Sequence, residues 1–323
     1  MFKRIMSAAI LLGAAIVPAQ AAWPDRPITL IVPWAAGGGT DAVARVIASG
    51  LEKELGQPVN VVNRTGGGGV VGHTEIVGAK PDGYTIGLAT AEITTYYWAG
   101  TAPFTYADVT PLALVNFDAA ALHVAADSPW QDAAQALDAI RQAKPGTYKL
   151  SGMPVGAAFH LAFAGLLQAA DIDAKAVAVV PSQGAAPGFQ ELASGGVQIV
   201  PSSLPEGRAM VDAGRVKALL VLANERIPAF PDVPVAKEAI GKEVVGGTWR
   251  GLAAPKGLPD EITAKLIETV EKVVKAPDFA KFMADRGFGV AFAKGDEFRI
   301  FLEDQHARNG ELMGALGLRQ RDK

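Results

Sequence analysis

Residues 28–42 read Ile-Thr-Leu-Ile-Val-Pro-Trp-Ala-Ala-Gly-Gly-Gly-Thr-Asp-Ala, an apolar run that ends in a glycine turn where an amphipathic helix begins. Ile28 to Val32 has the form of a short strand buried on both faces of a parallel sheet. Val43, Val46, Ile47, Leu51 and Leu55 recur at helical spacing, and Gly56 stops the helix. With Thr40 as N-cap, the amides following Gly37, Gly38 and Gly39 point out of a positive helix end. That end can seat a carboxylate or phosphate without any lysine.

The pattern then repeats. Pro58–Asn63 reads as the next strand, Arg64 to Gly69 as its turn and Val70 to Ala79 as the next helix. Both turns match a dinucleotide fingerprint, as Gly37-x-Gly39-x-x-Ala42 and Gly67-x-Gly69-x-x-Gly72. A dinucleotide fold carries one such turn and an acid about 20 residues onward, where this chain has Asn63-Arg64. Parallel strands end on the same edge of a sheet, so both turns are expected at one crevice, two helix ends converging on one acid group. Bulkier residues at Gly38 or Gly67 are then expected to block binding.

Lys3 and Arg4 precede the apolar stretch Ile5 to Val17, and Ala19-Gln20-Ala21 has the small-x-small form of a signal-peptidase site. Residues 1–21 therefore read as an export signal, and the apolar stretch is short for a membrane span. With no cysteine there is no lipid-anchor site, disulfide or thiolate metal site. The expected compartment is the periplasm, where free reduced dinucleotide is not expected.

The remaining roughly 300 residues suggest two domains. Half of all residues are hydrophobic and 20% are charged, the net charge is −3, and neither a basic stripe nor interleaved aromatics point to nucleic acid. Strands are expected at Tyr84–Ala89, Val109–Val115, Ala121–Ala125, Tyr148–Ser151, Ala176–Val180, Gln198–Pro201 and Val216–Leu222. Helices are expected at 133–143, 157–170, 185–194 and 206–213. Long helices follow at 259–275, 278–286 and 296–314, the last with Phe298, Phe301 and Leu302 on one face. This alternation predicts an α/β fold with mainly parallel sheets flanked by helices. If the last helices return to the first domain, that domain comprises 22–122 plus 252–323 around a second at 123–251. Two crossing segments then form a hinge over a cleft, as in a type II-like periplasmic binding fold.

Trp23-Pro24-Asp25-Arg26-Pro27-Ile28, Val32 to Asp41, Asn63 to Gly69, Pro81-Asp82-Gly83-Tyr84-Thr85, Gly184-Ala185-Ala186-Pro187, Ala213 to Leu219, Phe230-Pro231-Asp232-Val233-Pro234 and Trp249 to Pro255 stand in one order along the chain. In that order and spacing they resemble the substrate-binding proteins of tripartite tricarboxylate transporters, the Bug family. The resemblance implies a two-lobed periplasmic binder, not an enzyme. Such a binder captures a small carboxylate and hands it to a small and a large membrane subunit. It also implies that one carboxylate is held by the two loops. Here these are Trp34, Ala36, Gly37, Gly38, Gly39, Thr40 and Asp41 in the first, and Thr65, Gly66, Gly67, Gly68 and Gly69 in the second. Asp41 is expected to orient its loop rather than touch an anion.

For the far end of the ligand the matching positions are Ser151, Gly156, His160, Ser182, Gln183, Ser202 and Trp249. Many family members carry an aromatic and a lysine where this chain has Ser182 and Gln183, so its distal pocket is more neutral. His160 reads either as a ligand contact or as a structural histidine, and Trp249 as a cleft cover or as hinge packing. Arg250 and Arg208 read as cations for a second carboxylate or as solvated side chains. Thr94 to Trp98 either rims the cleft or packs on the surface.

His73, His123, His160 and His306 are scattered, with no metal-site, nucleophile-elbow or phosphate-loop motif. No cofactor or metal is expected, and the chain is expected to act as a monomer. The competing readings are an exported α/β enzyme that uses the glycine turns for a phosphate-bearing cofactor, and a binder that serves a periplasmic sensor.

Overall fold

A computed structural model describes residues 23–321, so the export signal read at 1–21 lies outside the described residues. β1 (Ile28–Val32), α1 (Gly39–Leu55), β2 (Val59–Asn63), α2 (Val70–Gly78) and β3 (Thr85–Thr90) follow one another as the spacing predicts. β1 lies between β2 and β3, parallel to both, with Ile28 opposite Val59 and Thr29 opposite Thr85. Val43, Ile47 and Leu51 of α1 are buried with Leu30, Val32 and Leu88. At the end of α1, Gly56 takes the left-handed conformation and its N–H donates to the Glu52 carbonyl, which terminates the helix.

A short helix α3 (Tyr96–Ala99) leads to β4 (Val109–Ala125), a single strand of 17 residues. The sequence pattern splits this strand in two because Asn116 and Asp118 interrupt its apolar run. Next come α4 (Ala133–Gln142), β5 (Lys149–Leu150), α5 (Ala158–Ala169), β6 (Ala178–Val179), α6 (Ala185–Ala193), β7 (Val200–Ser203), α7 (Leu204–Asp212), β8 (Val216–Val221) and α8 (Ala236–Ile240). The chain returns along β9 (Gly247–Pro255) and ends with α9 (Asp260–Lys275), α10 (Pro277–Arg286), β10 (Val290–Lys294) and α11 (Asp296–Ala315).

β9 and β10 are absent from the sequence reading, and they change the character of the sheet. The first part of β4 pairs antiparallel with β9 and β10, its last part antiparallel with β7 and β8, and β9 also pairs antiparallel with β3. Parallel pairing holds for β1 with β2 and β3 and for β5 with β6, so the α/β fold is mixed rather than mainly parallel. The reason is directional. β4 carries the chain out of the first lobe and β9 carries it back, so these neighbours must run opposite ways.

Two apolar cores lie on either side of this crossing. Ile28, Leu30, Ile47, Leu88, Leu112, Val115, Leu252 and Val270 belong to the first. Leu122, Val124, Leu137, Ile140, Phe163, Leu167, Ile199 and Leu220 belong to the second. β4 thus contributes side chains to both lobes and ties them through its backbone. α9 and α10 return to the first core through Leu266, Val270, Phe279 and Met283. α11 buries Phe298 and Leu302 beside Trp249, and beyond its end Leu316 joins Met313 against Leu161 and Ala164 of α5.

Candidate functional site

Between the lobes lies a cleft, lined from the first lobe by Trp34, Ala35, Gly38, Gly39 and Thr40 and from the second by Gly152, Met153, Gly184, Ala185, Ala186 and Glu206. Its remaining walls are Thr90, Glu92, Phe159, Thr248 and Arg250. The starts of α1 and α6 therefore open onto one cavity. At α1 the first intrahelical bond runs from the Ala42 N–H to the Gly38 carbonyl at 3.0 Å, so the amides of Gly39, Thr40 and Asp41 precede it. At α6 the Gly188 N–H reaches the Gly184 carbonyl at 3.5 Å, and Pro187 has no N–H to satisfy. That leaves the amides of Ala185 and Ala186 at a positive helix end.

The N-cap of α1 is Gly38, not Thr40. Thr40 sits two residues beyond that cap, and its hydroxyl is engaged elsewhere, accepting from Arg250 Nε at 2.9 Å. Asp41 shapes the loop. Its Oδ2 accepts from the Gly37 N–H at 3.0 Å and from Arg45 Nε at 3.0 Å, and its Oδ1 from Arg45 Nη2 at 2.9 Å and Asn63 Nδ2 at 3.0 Å. Burial alone raises the Asp41 carboxyl, but these bonds outweigh it and hold the group below its ordinary value. Gly37 and Ala36 lie outside the cleft lining, and the Gly37 amide is consumed by Asp41.

At the floor of the cleft is an ionic knot on Arg250, which is 1% exposed. Its Nη1 donates to Asn116 Oδ1 and to Asp118 Oδ2, both at 2.5 Å, and its Nη2 to Glu206 Oε1 at 2.7 Å. Asp118 Oδ1 also accepts from Asn116 Nδ2 and the Gly289 N–H, each at 2.9 Å. Burial pushes the Asp118 carboxyl up, opposed by the Arg250 charge. Ser202 donates through Oγ to Glu206 Oε2. Arg250 thus joins α1, β4 and α7, one element from each lobe and one crossing strand. Arg208 instead sits at the surface, where it donates to the Asp285 carbonyl at 2.7 Å.

The second glycine turn does not line this cleft. The Gly69 and Val71 amides donate to the Gly66 carbonyl at 3.1 and 3.3 Å and the Val70 amide to Gly67, so the start of α2 is already satisfied. Thr65 and Gly67 are exposed, and Gly68 faces Pro154 of the other lobe. Gly69, at φ +90°, backs onto Trp34 and Tyr96, where a Cβ would stand 2.6 Å from the Tyr96 hydroxyl and 3.3 Å from the Trp34 ring. The turn is held from behind. The Thr90 N–H donates to His73 Nε2 at 3.2 Å, so Nδ1 carries the proton and donates to the Gly69 carbonyl at 2.9 Å. Tyr96 Oη donates to the Gly68 carbonyl at 3.0 Å. Complete burial keeps His73 neutral, its pKa lowered to about 4. Trp34 Nε1 donates to Thr90 Oγ1 at 3.1 Å, and Thr90 donates to Glu92 Oε2 at 2.5 Å. Burial pushes the Glu92 carboxyl up, against the hydrogen bond from Thr90.

The other expected contacts separate. Ser151 is fully buried beneath the cleft and its hydroxyl has no partner among the described residues. The Gly156 N–H donates to His160 Nδ1 at 2.9 Å, a local bond at the start of α5, and burial lowers His160 to about 4. Neither residue lines the cleft. Ser182 donates to the Gly184 carbonyl at 3.0 Å and so shapes the start of α6, while Gln183 is exposed. Ser202 reaches the cleft only through Glu206. Trp249 is 1% exposed and packs edge-on against Phe298 and Phe301 in the core behind the hinge. Thr94 to Trp98 packs under α11, where His306 and Asn309 bond to Thr94.

Thr90, Glu92, Asn116, Asp118, Glu206 and Thr248 escape the sequence reading. Asn116 and Asp118 carry a usable signal, because two polar residues two apart in an apolar strand point to one face.

Residues 43–318 match the family described as "Tripartite tricarboxylate transporter family receptor". An UPF0065 protein of Bordetella pertussis is 31% identical over 320 residues, covering 98% of each chain. An R. palustris protein solved with adipate superposes with a TM-score of 0.85 at 26% identity, covering 91% of this chain and 98% of that one. MatC from Rhodopseudomonas palustris, solved with bound malate, gives 0.79 at 28% identity, covering 90% and 99%.

Proposed function

The chain belongs to the tripartite tricarboxylate transporter receptor family, and from that premise we propose that it is a periplasmic solute-binding protein for a small organic carboxylate. The protein is exported by the signal at 1–21 and acts as a monomer without cofactor or metal. It delivers its solute to the small and large membrane subunits of a tripartite transporter. The observation that carries the reading is that the free amides of α1 and α6, one helix from each lobe, open onto the same cleft. Two relatives of this fold are known with adipate and malate. Charge-assisted bonds from such amides contribute about 1.5–3 kcal/mol each, enough in combination for micromolar binding near −8 kcal/mol after ordering costs.

The lobes divide at 22–122 with 252–323 and at 123–251, with both boundaries inside the crossing strands β4 and β9, which serve as the hinge. Trp34, Gly38, Gly39 and Thr40 form the first wall of the site. Asp41 shapes its loop, and the second glycine turn supports Trp34 from behind. No catalytic step is assigned. Among the described residues no group of three His, Cys, Asp or Glu side chains could hold a metal, and His73, His123 and His160 are held neutral by burial.

Thermal shift of the purified mature protein against dicarboxylates, tricarboxylates, aromatic acids, amino acids and nucleotides tests this. Carboxylate-bearing solutes are expected to raise Tm, with compaction in small-angle scattering. Stabilisation by nucleotides alone, or by none of the panel, refutes the reading.

A further inference from the structure

The charges around the cleft restrict what can accompany the ligand's carboxylate. Among the described residues that line it, the ionisable side chains are Arg250, Glu92 and Glu206, with no lysine. Arg250 already donates to Thr40, Asn116, Asp118 and Glu206, so four of its five N–H groups are committed. A bidentate carboxylate clamp needs two parallel donors, and this guanidinium has at most one left. Its single positive charge is shared by Asp118 and Glu206, which leaves one negative charge over, and Glu92 adds a further carboxyl to the lining.

Both of those carboxylates keep acceptor capacity. Glu206 takes one donor on each oxygen, from Arg250 and Ser202. Glu92 takes one on each as well, from Thr90 at 2.5 Å and from the Ala158 N–H at 3.3 Å. A second and independent feature stands beside them. Thr248, 6% exposed, lines the same cleft, and its hydroxyl has no hydrogen-bond partner among the described residues. A second carboxylate here would meet like charges among buried wall residues, an arrangement that disfavours it.

We infer that the solute is a zwitterion, a short amino-carboxylic acid whose carboxylate sits at the helix starts of α1 and α6 and whose ammonium faces Glu92, Glu206 and the Thr248 hydroxyl. This rests on the carboxylate-binding reading given above and narrows its substrate class. The ammonium supplies the donors that the two acids and the threonine lack, and it places a positive charge beside them where a second carboxylate would add a negative one. Burial that raises the Glu92 carboxyl acts in the same direction, since a paired ammonium relieves it.

Calorimetric titration of the mature protein with matched pairs tests the inference. Succinate is set against β-alanine, glutarate against 4-aminobutyrate, adipate against 5-aminopentanoate, and lactate against alanine. The ammonium-bearing member of at least one pair is expected to bind tenfold or more tightly than its partner, with the gap shrinking below threefold in Glu92→Gln. Pairs in which the partner without ammonium binds equally or better throughout overturn the zwitterion and leave the carboxylate binder standing. Absence of binding by every member of every pair overturns both. The wild-type comparison decides even where Glu92→Gln does not fold, and a gap unchanged in a folded Glu92→Gln removes Glu92 from the assignment.

Discussion

Replacing Gly39 by alanine tests whether closure of the lobes is what binds the solute. Gly39 opens α1 in an ordinary helical conformation, so alanine is acceptable to the backbone. A Cβ there would stand 2.4 Å from Glu206 Oε1, 2.7 Å from Glu206 Cγ and 2.7 Å from Arg250 Nη2. Glu206 belongs to α7 of the other lobe, so two of these three contacts act as a wedge when the cleft is shut. Glu206 cannot swing aside freely, because Ser202 and Arg250 hold its two oxygens. Yielding costs one buried charge-assisted bond, about 1.5–3 kcal/mol, a range that overpacking also spans. A loss of about 2–3 kcal/mol in the closed state corresponds to roughly a 30- to 150-fold weaker Kd. Titration with the carboxylate that most stabilises the wild type is the assay, paired with thermal unfolding and small-angle scattering. The expected result is a cooperative fold, weakened binding and a smaller compaction. An affinity within threefold of the wild type, with full compaction, refutes the wedge and the closed geometry it rests on.

His73, His123 and His160 are buried with pKa values lowered to about 4, against an unfolded value near 6.5. The unfolded chain therefore binds these protons first, and the stability they contribute is complete above about pH 6.5 and lost as pH falls towards 4. The loss amounts to about 3 kcal/mol per histidine, and urea midpoints at pH 7, 6 and 5 that do not fall would contradict it. Trp34→Phe deletes the donor to Thr90 at 3.1 Å and should weaken binding by about 1 kcal/mol while removing most of the ligand-induced tryptophan fluorescence change. If the fluorescence change survives, Trp34 does not report on the cleft. Asp41→Ala frees the Gly37 amide, Arg45 and Asn63 at once and should lower stability by about 1–3 kcal/mol and affinity with it, read from chemical unfolding and titration. Trp249→Phe removes an indole N–H that is buried without a partner among the described residues, so stability should change by less than about 2 kcal/mol and Kd should not move. A tenfold weaker Kd there would instead make Trp249 a ligand contact.

The sequence discloses the first βαβ unit residue by residue because strand, glycine turn and amphipathic helix each follow from local periodicity. β4 and β9 are less legible for a common reason. Asn116, Asp118 and Arg250 place polar groups in strands that are otherwise apolar, and their partners are more than 100 residues away in the chain. Locally they look like breaks or solvated surface, and only the tertiary pairing makes them a buried network. The two glycine turns show the same limit from another side. Both have the composition of an anion seat, but in the second the amides of Gly69, Val70 and Val71 bond back to Gly66 and Gly67. The helix start that faces α1 across the cleft is that of α6, whose N-cap Gly184 carries no fingerprint. Steric demand shifts likewise, since a Cβ at Gly38 meets only the Ala35 carbonyl at 3.5 Å, whereas Gly39 has no room.

Arg250 explains why the cleft is lined by helix ends rather than by cations. A buried guanidinium is stable only if its donors are matched, and Asn116, Asp118, Thr40 and Glu206 match it from β4, α1 and α7. Committed in this way it has at most one N–H left for a solute, and on the proposed reading recognition of the carboxylate passes to main-chain amides, whose positions are set by the fold itself. The same commitment couples recognition to closure. With the hinge in β4 and β9 as proposed, Arg250 cannot keep both its bond to Thr40 of α1 and its bond to Glu206 of α7 in an open cleft, and closing restores the pair beside the amides of α1. On that reading the bond that completes the knot and the bonds that hold the solute form in one movement, which makes a half-closed, half-bound state unfavourable on both counts.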